Sequence, residues 1–184
     1  MSKRIALLSA AAFGALALTA TIVAPVSAQE KTVMVGGAAM FPSKNIIQNA
    51  VNSKDHTTLV AAVKAAGLVD TLEGKGPFTV FAPTNAAFGK LPAGTVDTLV
   101  KPENKATLTK ILTYHVVPGK LEASDLTDGK KLKTVEGEEL TVKKADGKVM
   151  IVDAKGGSST VTISNVNQSN GVIHVVDTVL MPAS

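Results

Sequence analysis

The chain has 184 residues, a formal net charge of +4 and no cysteine. The lack of cysteine excludes disulfides, thiolate metal sites and a cysteine nucleophile. Arg4 is its only arginine and aromatic residues are few, so nucleic acid is not an expected partner.

The first residues have the pattern of a secretory signal peptide. Two basic residues precede an apolar run from Ile5 to Val23, and a small-x-small motif ends at Ala28. This pattern predicts cleavage after Ala28, with an uncleaved membrane anchor as the alternative. Cleavage leaves 156 residues (184 minus 28) with 17 lysines against 15 acids, a net charge of +2. We therefore expect one exported domain, secreted or periplasmic, without a further membrane span.

The first half of the exported chain is predicted to be mainly helical. Residues 29–42 are interpreted as a lead-in segment that docks on a domain spanning residues 43–182. Apolar residues recur at helical spacing from Leu59 to Ala66, and Gly67 provides a left-handed stop. Another helix is predicted to begin at Pro102, with an apolar face that ends at His115.

One strand interrupts this helical half, in the stretch FTVFAPTNAAF at residues 78–88. Pro83 has no N–H for a strand ladder and is expected to end the strand. Thr84 and Asn85 are predicted to cap the short helix that carries Phe88. A nucleophile elbow would need glycines here, so a structural joint is favoured; an anion site near Lys90 is the alternative.

The last third of the chain changes to the alternating pattern of strands. Strands are predicted from Leu140, from Lys148 to Val152, around Val161 and Ile163, and over residues 172–176. The pairs at 146–147 and 170–171 are typical turns. Helices followed by antiparallel strands predict an α+β domain with packed sheets. No glycine-rich phosphate loop is present, so no nucleotide cofactor is expected.

The three histidines are the only groups that titrate near neutral pH. His56, His115 and His174 are far apart in sequence, unlike most zinc ligands. We expect core histidines with hydrogen-bond partners; catalysis and metal binding are the alternatives. Asp177 lies three residues after His174, on the opposite face of a strand, so the two are not expected to form an orienting pair.

Three motifs in order resemble the fasciclin-domain family: FTVFAPTNAAF, LTYHVVPGK at 112–120 and GVIHVVDTVLMP at 171–182. With TLVAAVKAAGLVDTL at 58–72, the resemblance covers residues 43–182. It implies a wedge-shaped β-sandwich with flanking helices and a role in adhesion or matrix association, without enzyme activity or a cofactor. The motif residues, interpreted as mainly structural, are Thr84, Asn85, Tyr114, His115, His174 and Asp177.

The resemblance also suggests where a partner binds. Some animal members have an Asp-Ile pair linked to integrin binding, and Lys110-Ile111 stands at that place here, so the acid is missing. Tyr114 matches the adjacent Tyr-His element. Lysines beside an acidic cluster, Lys143 and Lys144 among them, could serve as a polyanion patch. We expect a monomer that binds a protein or polysaccharide at the cell surface or in the matrix.

Two further functions are kept open. A periplasmic carrier would bind a small molecule or metal through surface-accessible histidines and methionines, although methionine is more often a packing residue. The methionines concerned are Met34, Met40, Met150 and Met181. A hydrolase would need a Ser or Thr beside a histidine in a cleft.

Overall fold

A computed structural model describes residues 31–183. The predicted signal peptide lies outside the described residues. The strands are β1 Val33–Val35, β2 Ala38–Met40, β3 Phe78–Pro83, β4 Val116–Pro118, β5 Lys131–Lys133, β6 Glu139–Ala145, β7 Lys148–Val152, β8 Ser158–Gln168 and β9 Gly171–Val176. The helices are α1 Ile46–Ala50, α2 Thr57–Ala66, α3 Val69–Glu73, α4 Asn85–Gly89, α5 Thr95–Leu99 and α6 Lys105–Tyr114. Across residues 31–183, no helix has the length and apolar character needed to cross a membrane.

Seven strands form one mixed sheet in the order β4-β3-β9-β8-β7-β6-β5. Every neighbouring pair is antiparallel except β3 and β9, which run parallel. The long strand β8 belongs to both halves of the sheet, and its register shifts between Val161 and Val166. The edges approach each other, since the Val135 amide donates to the Val116 carbonyl at 2.8 Å. The predicted α+β class is confirmed, although the sequence had not indicated the parallel pair, β4 or β5.

The curved sheet separates two apolar cores. The first lies between the helices and one face of β3, β8 and β9, and includes Val63, Val80, Leu112 and Ile173. The second lies inside the curve of the sheet and comprises Phe81, Tyr114, Val117, Leu126, Leu132, Leu140, Val142, Ile151, Val176 and Leu180. Strand β3 contributes alternate residues to both cores, which explains why both of its faces are apolar.

The two longer predicted helices are present with one change at a boundary. Gly67 ends α2 with φ of +72°, the left-handed conformation that glycine adopts most readily. Pro102 begins a short 3-10 turn rather than the α-helix, and α6 starts three residues later at Lys105. His115 is the C-terminal cap residue of α6, as the predicted end of its apolar face requires.

The segment interpreted as a lead-in contains secondary structure that the sequence did not predict. Residues 33–40 form the hairpin β1–β2, whose inward side chains Val35 and Met40 are buried. The α1 helix follows, and its Asn49 is completely buried. Asn49 accepts a hydrogen bond from the Phe41 amide at 3.0 Å and donates to the Phe41 carbonyl at 2.8 Å. The segment therefore forms part of the first core.

A substitution at Gly171 tests how closely the backbones of β3 and β9 must approach each other. A Cβ atom at this position would overlap the carbonyl oxygen of Phe78, a backbone atom that cannot move independently of β3. We expect Gly171→Ala to lower the free energy of unfolding by about 3 kcal/mol. Gly89→Ala is the control, because nothing lies within 4 Å of the added methyl group there. Urea denaturation of both variants measures the difference, and equal stabilities would contradict the close approach.

Candidate functional site

The strand-to-helix corner is closed by hydrogen bonds within the fold. Thr84 follows the last residue of β3, and its amide donates to the Val176 carbonyl at 3.3 Å. Its hydroxyl accepts from the Ala87 amide at 3.2 Å, so Thr84 caps α4 as predicted. The same residue thus stabilises the helix start and holds the end of β3 against β9.

Asn85 does not cap its own helix, contrary to the sequence prediction. Its Oδ1 accepts from the Thr58 amide at 3.0 Å and from the Thr57 hydroxyl at 3.2 Å. Its Nδ2 donates to the Lys54 carbonyl at 2.8 Å. Asn85 therefore satisfies the N-terminal turn of α2, a helix far from it in sequence. Periodicity cannot detect this role, because it depends on how the two helices pack.

Tyr114 is completely buried, so the expectation that it contacts a partner is wrong. Its hydroxyl accepts from the Ala154 amide at 2.9 Å and donates to the Glu139 carbonyl at 3.4 Å. Burial raises the pKa of Tyr114 above its ordinary value. The side chain connects the end of α6 to the β6–β7 half of the sheet, which is a structural role.

His115 is buried with both ring nitrogens bonded. Its Nδ1–H donates to the Ile111 carbonyl at 2.8 Å, and its Nε2 accepts from the Leu180 amide at 2.9 Å. This arrangement requires the neutral imidazole, since a protonated ring has no acceptor. Burial lowers the pKa of His115 to about 4, against smaller upward effects of the Ile111 carbonyl and Asp153.

His174 is also buried with both ring nitrogens bonded, and it lies against the second core. Its Nε2–H donates to the Leu121 carbonyl at 2.7 Å, and its Nδ1 accepts from the Asn165 amide at 3.4 Å. Burial lowers its pKa, and its ring stacks on Phe81 at 5.7 Å between centroids. The prediction of core histidines with hydrogen-bond partners is confirmed for His115 and His174.

Asp177 joins the ends of β8 and β9. Its Oδ1 accepts from the Thr160 amide at 2.9 Å and from the Thr178 hydroxyl at 3.0 Å. The other carboxylate oxygen lies 3.9 Å from Nζ of Lys90, so the cation near the corner already has an internal partner. As expected, Asp177 and His174 bond to different groups.

The carrier hypothesis required histidines at the surface, and this premise is wrong. All three histidines are buried, His56 included. Among the methionines, Met34 is exposed and Met40 is buried. Within residues 31–183, no group of three or more His, Asp or Glu side chains is placed to hold a metal ion.

A set of exposed lysines covers the outward face of β5, β6 and β7. Leu132, Leu140 and Ile151 point into the second core, so the alternating residues on these strands point outward. We call this outward set the lysine face: Lys131, Lys133, Lys143 and Lys148.

The register places these lysines in a diagonal row. Lys131 pairs with Thr141, and Lys143, two residues further along β6, pairs with Met150. Neighbours in such a row are about 7–8 Å apart. One acid interrupts it, since Glu139 lies 3.4 Å from Lys131. Within the described part of the chain, the other three lysines have no carboxylate at ion-pair distance.

The other two lysines predicted to contact a partner lie elsewhere. Lys110 is on α6, 3.5 Å from Glu136. Lys144 is exposed, but its strand position points away from the lysine face and its Nζ lies 3.5 Å from the Ala123 carbonyl. Lys143 alone of the three belongs to the row. Sequence adjacency could not separate Lys143 from Lys144, because the strand register decides the face.

Comparison with known proteins agrees with this fold and these motifs. A family model described as the fasciclin domain matches residues 54–182. The chain therefore belongs to the fasciclin-domain family. The family match begins after β1, β2 and α1, whereas the sequence interpretation began the domain at residue 43.

Individual relatives match a larger part of this chain than the family model does. Protein sll1483 of Synechocystis is 48% identical over 168 residues, covering 91% of this chain and 90% of that protein. The cell surface glycolipoprotein MPB83 of Mycobacterium bovis is 40% identical over 153 residues, covering 80% of this chain and 64% of that protein. A FAS1 domain pair from the insect cell adhesion molecule Fasciclin I has the same fold, with a TM-score of 0.68 at 19% identity, covering 77% of this chain and 52% of the pair.

Removing the Asn85 side chain tests its role at α2. We expect Asn85→Ala to lower the free energy of unfolding by about 1–2 kcal/mol, because the Thr58 amide loses its acceptor. Asn52→Ala is the matched control, since Asn52 is exposed and its side chain makes one hydrogen bond, to the Gln48 carbonyl at 2.9 Å. Urea denaturation measures both, and hydrogen exchange at Thr58 should accelerate only in Asn85→Ala. Unchanged exchange at that amide would contradict the assignment.

The buried neutral state of His115 makes stability depend on pH. Its folded pKa of about 4 lies below the unfolded value of 6.5, so the unfolded chain binds more protons between these values. Stability should therefore fall as pH decreases through 6.5 towards 4, with about 3 kcal/mol from this residue. His56 and His174 act in the same direction.

Denaturation at several pH values checks this expectation. His115→Gln should be less stable than wild type at pH 7, because its hydrogen bonds are imperfectly replaced, but should lose less stability between pH 6.5 and 4. Parallel pH profiles of wild type and variant would show that His115 is not the group responsible.

Proposed function

We propose that this protein is a non-enzymatic, surface- or matrix-associated binding protein that holds an acidic polysaccharide on its lysine face. The observation that carries the proposal is the diagonal row of four lysines on one exposed sheet face, interrupted by a single acid. Three of these ammonium groups are free to bind carboxylate or sulfate groups of a partner.

The shape of this face favours a linear chain as the ligand. A row of cations at intervals of about 7–8 Å matches a polymer with regularly repeated negative charges better than a single small anion. Thr141, Ser158 and Thr160 lie on the same face and offer hydroxyl groups for hydrogen bonding to sugars. Individual contacts of this kind are weak, so affinity would come from several acting together.

The hydrogen bonds that the family-motif residues make within the protein support the same proposal. The side chains of Thr84, Asn85, Tyr114, His115 and His174 bond to groups of the protein itself. Recognition is therefore left to the exterior, and no catalytic step is proposed. The names of the mycobacterial and insect relatives, which refer to the cell surface and to cell adhesion, are consistent with a surface role.

Neutralising the lysine face tests the proposal. We expect the triple variant Lys133→Gln, Lys143→Gln and Lys148→Gln to bind immobilised alginate about tenfold more weakly than wild type, because three charge contacts are lost. Binding of the wild type should weaken steeply with added salt, and neutral dextran should not retain it. Biolayer interferometry at low ionic strength provides the measurement.

A second triple variant separates a local site from net charge. Lys64, Lys75 and Lys101 are exposed lysines outside the sheet, and changing them to Gln removes the same three charges. This control should bind alginate like wild type. Equal weakening in both variants would indicate nonspecific attraction, and absence of wild-type binding would reject the polysaccharide as the ligand.

A further inference from the structure

Three places in the sequence have an Asp or Asn directly before a glycine: residues 128–129, 146–147 and 170–171. Such pairs can rearrange, because the glycine amide nitrogen can attack the side-chain carbonyl carbon of the residue before it. Glycine has no Cβ to hinder this approach, and it allows the main-chain conformations that ring closure requires. The structure distinguishes the pair that is free to react from the two that are held.

For an Asp-Gly pair the reaction is a net isomerisation. The glycine nitrogen bonds to Cγ of the Asp, and the carboxyl hydroxyl leaves with the amide proton as water, which gives a succinimide ring. Water then breaks the bond between the nitrogen and one of the two ring carbonyls. Opening at the former main-chain carbonyl leaves isoaspartate, whose main chain runs through Cβ and Cγ. One water leaves and one enters, so no other reactant is needed.

The side chain of Asn170 is buried and bonded at both ends of its amide. Its Oδ1 accepts from the Ile46 amide at 3.1 Å. Its Nδ2 donates to the Leu72 carbonyl at 2.6 Å and to the Gly74 carbonyl at 2.9 Å. Ring closure would break these hydrogen bonds, so we expect it to be slow at Asn170 in the folded protein.

The pair of Asp128 and Gly129 is bonded at both reacting groups. Oδ1 of Asp128 accepts from the Lys144 amide at 2.7 Å. The Gly129 amide, whose nitrogen would attack, donates to the Val142 carbonyl at 2.8 Å. Both hydrogen bonds must open before this nitrogen can reach Cγ of Asp128, which again slows the reaction.

The pair of Asp146 and Gly147 forms the two-residue turn between β6 and β7. Both residues are exposed, with φ of 52° and 73°, the left-handed values of this kind of turn. Within residues 31–183, the Asp146 carboxylate has no hydrogen-bond or ion-pair partner, and the Gly147 amide has no acceptor. Local opening is easy at a hairpin tip, so both reacting groups are free to meet.

We propose that Asp146 is a modification site of this protein, at which isoaspartate forms in the folded state without an enzyme. Asp128 and Asn170 carry the same local sequence signal but are protected by their hydrogen bonds. Conversion keeps the charge of the residue and adds one carbon atom to the main chain of the turn. Isoaspartate accumulates with time, so the modified fraction records the age of the molecule.

The modification changes the hairpin tip and spares the fold. A tight two-residue turn depends on its main-chain geometry, so the longer main chain separates the ends of β6 and β7 beside Lys143 and Lys148. Further along these strands, Val142 and Ile151 are completely buried in the second core and keep the strands paired. The reaction does not depend on the ligand of the lysine face, so covalent readouts test it separately from the proposed function.

Peptide mapping of aged protein tests the site. The purified protein is incubated at neutral pH and digested with an endoproteinase that cleaves before Asp but not before isoaspartate. Mass spectrometry should show isoaspartate at position 146 that increases with time, with Asp128 and Asn170 converted at least about tenfold more slowly. Equal or faster conversion at either of these two residues would overturn the proposal.

Unfolding the protein supplies an internal control. In an unfolded chain an Asn-Gly pair reacts faster than an Asp-Gly pair, because an amide carbonyl is a better electrophile than an ionised carboxylate. Asn170 should therefore become the fastest of the three sites in guanidinium chloride. The same order of rates with and without denaturant would show that the fold does not select Asp146.

Two matched variants remove the chemical difference between the sites. Asp146→Asn and Asp128→Asn each create an Asn-Gly pair, and asparagine is as suitable as aspartate in such turns. We expect Asp146→Asn to release ammonia at least about tenfold faster than Asp128→Asn in buffer, and within about twofold of it in guanidinium chloride. Equal rates of the two variants in buffer would contradict the protection assigned to Asp128.

A change at Gly147 tests the attacking nitrogen. Gly147→Asn keeps a residue that tolerates the left-handed conformation, but its side chain hinders the approach of its own amide nitrogen. Isoaspartate at position 146 should form about tenfold more slowly in this variant. An unchanged rate would exclude the Gly147 nitrogen as the attacking group. If Gly147→Asn fails to fold, the matched pair of asparagine variants still decides the site.

Discussion

The parallel pairing of β3 with β9 is the contact on which the rest of the fold depends. These strands come from motifs about ninety residues apart in the chain, and their register sets Phe81 beside His174 and Pro83 beside Val176. One face of the pair carries the helices and the other lines the second core. Parallel strands cannot be joined by a short turn, and the connection from β3 to β9 contains α4, α5, α6 and strands β4 to β8, whereas α1, α2 and α3 precede β3.

Polar side chains hold the joints around this pair. Thr84 fixes the corner after β3, His115 fixes the segment after β9 through the Leu180 amide, and Asp177 ties that segment to β8. Each bonds a backbone group that regular secondary structure leaves unpaired, which explains polar residues in an otherwise apolar centre. These side chains are neutral or paired within the protein, and their contacts stabilise the scaffold.

Local pattern predicted the elements well and their assembly less well. The helix from Leu59 to Gly67 and the hairpin at 146–147 follow from periodicity and turn residues, which act over a few positions. The parallel pair, the cap that Asn85 provides to α2 and the burial of Tyr114 depend on residues distant in sequence. The same limit explains Lys143 and Lys144, since a one-residue step on a strand reverses the face. The lead-in was underestimated because its short strands carry too few apolar residues for a clear period.

Strands β5, β6 and β7, beyond the shared strand β8, have two kinds of position. Inward residues of β5, β6 and β7 fill the second core, where even the loss or gain of one methyl group changes stability, while their outward neighbours are exposed or half-buried. Surface substitutions away from special features change stability little. Replacements at the outward positions of these strands can therefore remodel the exterior that the sheet presents while the architecture stays constant.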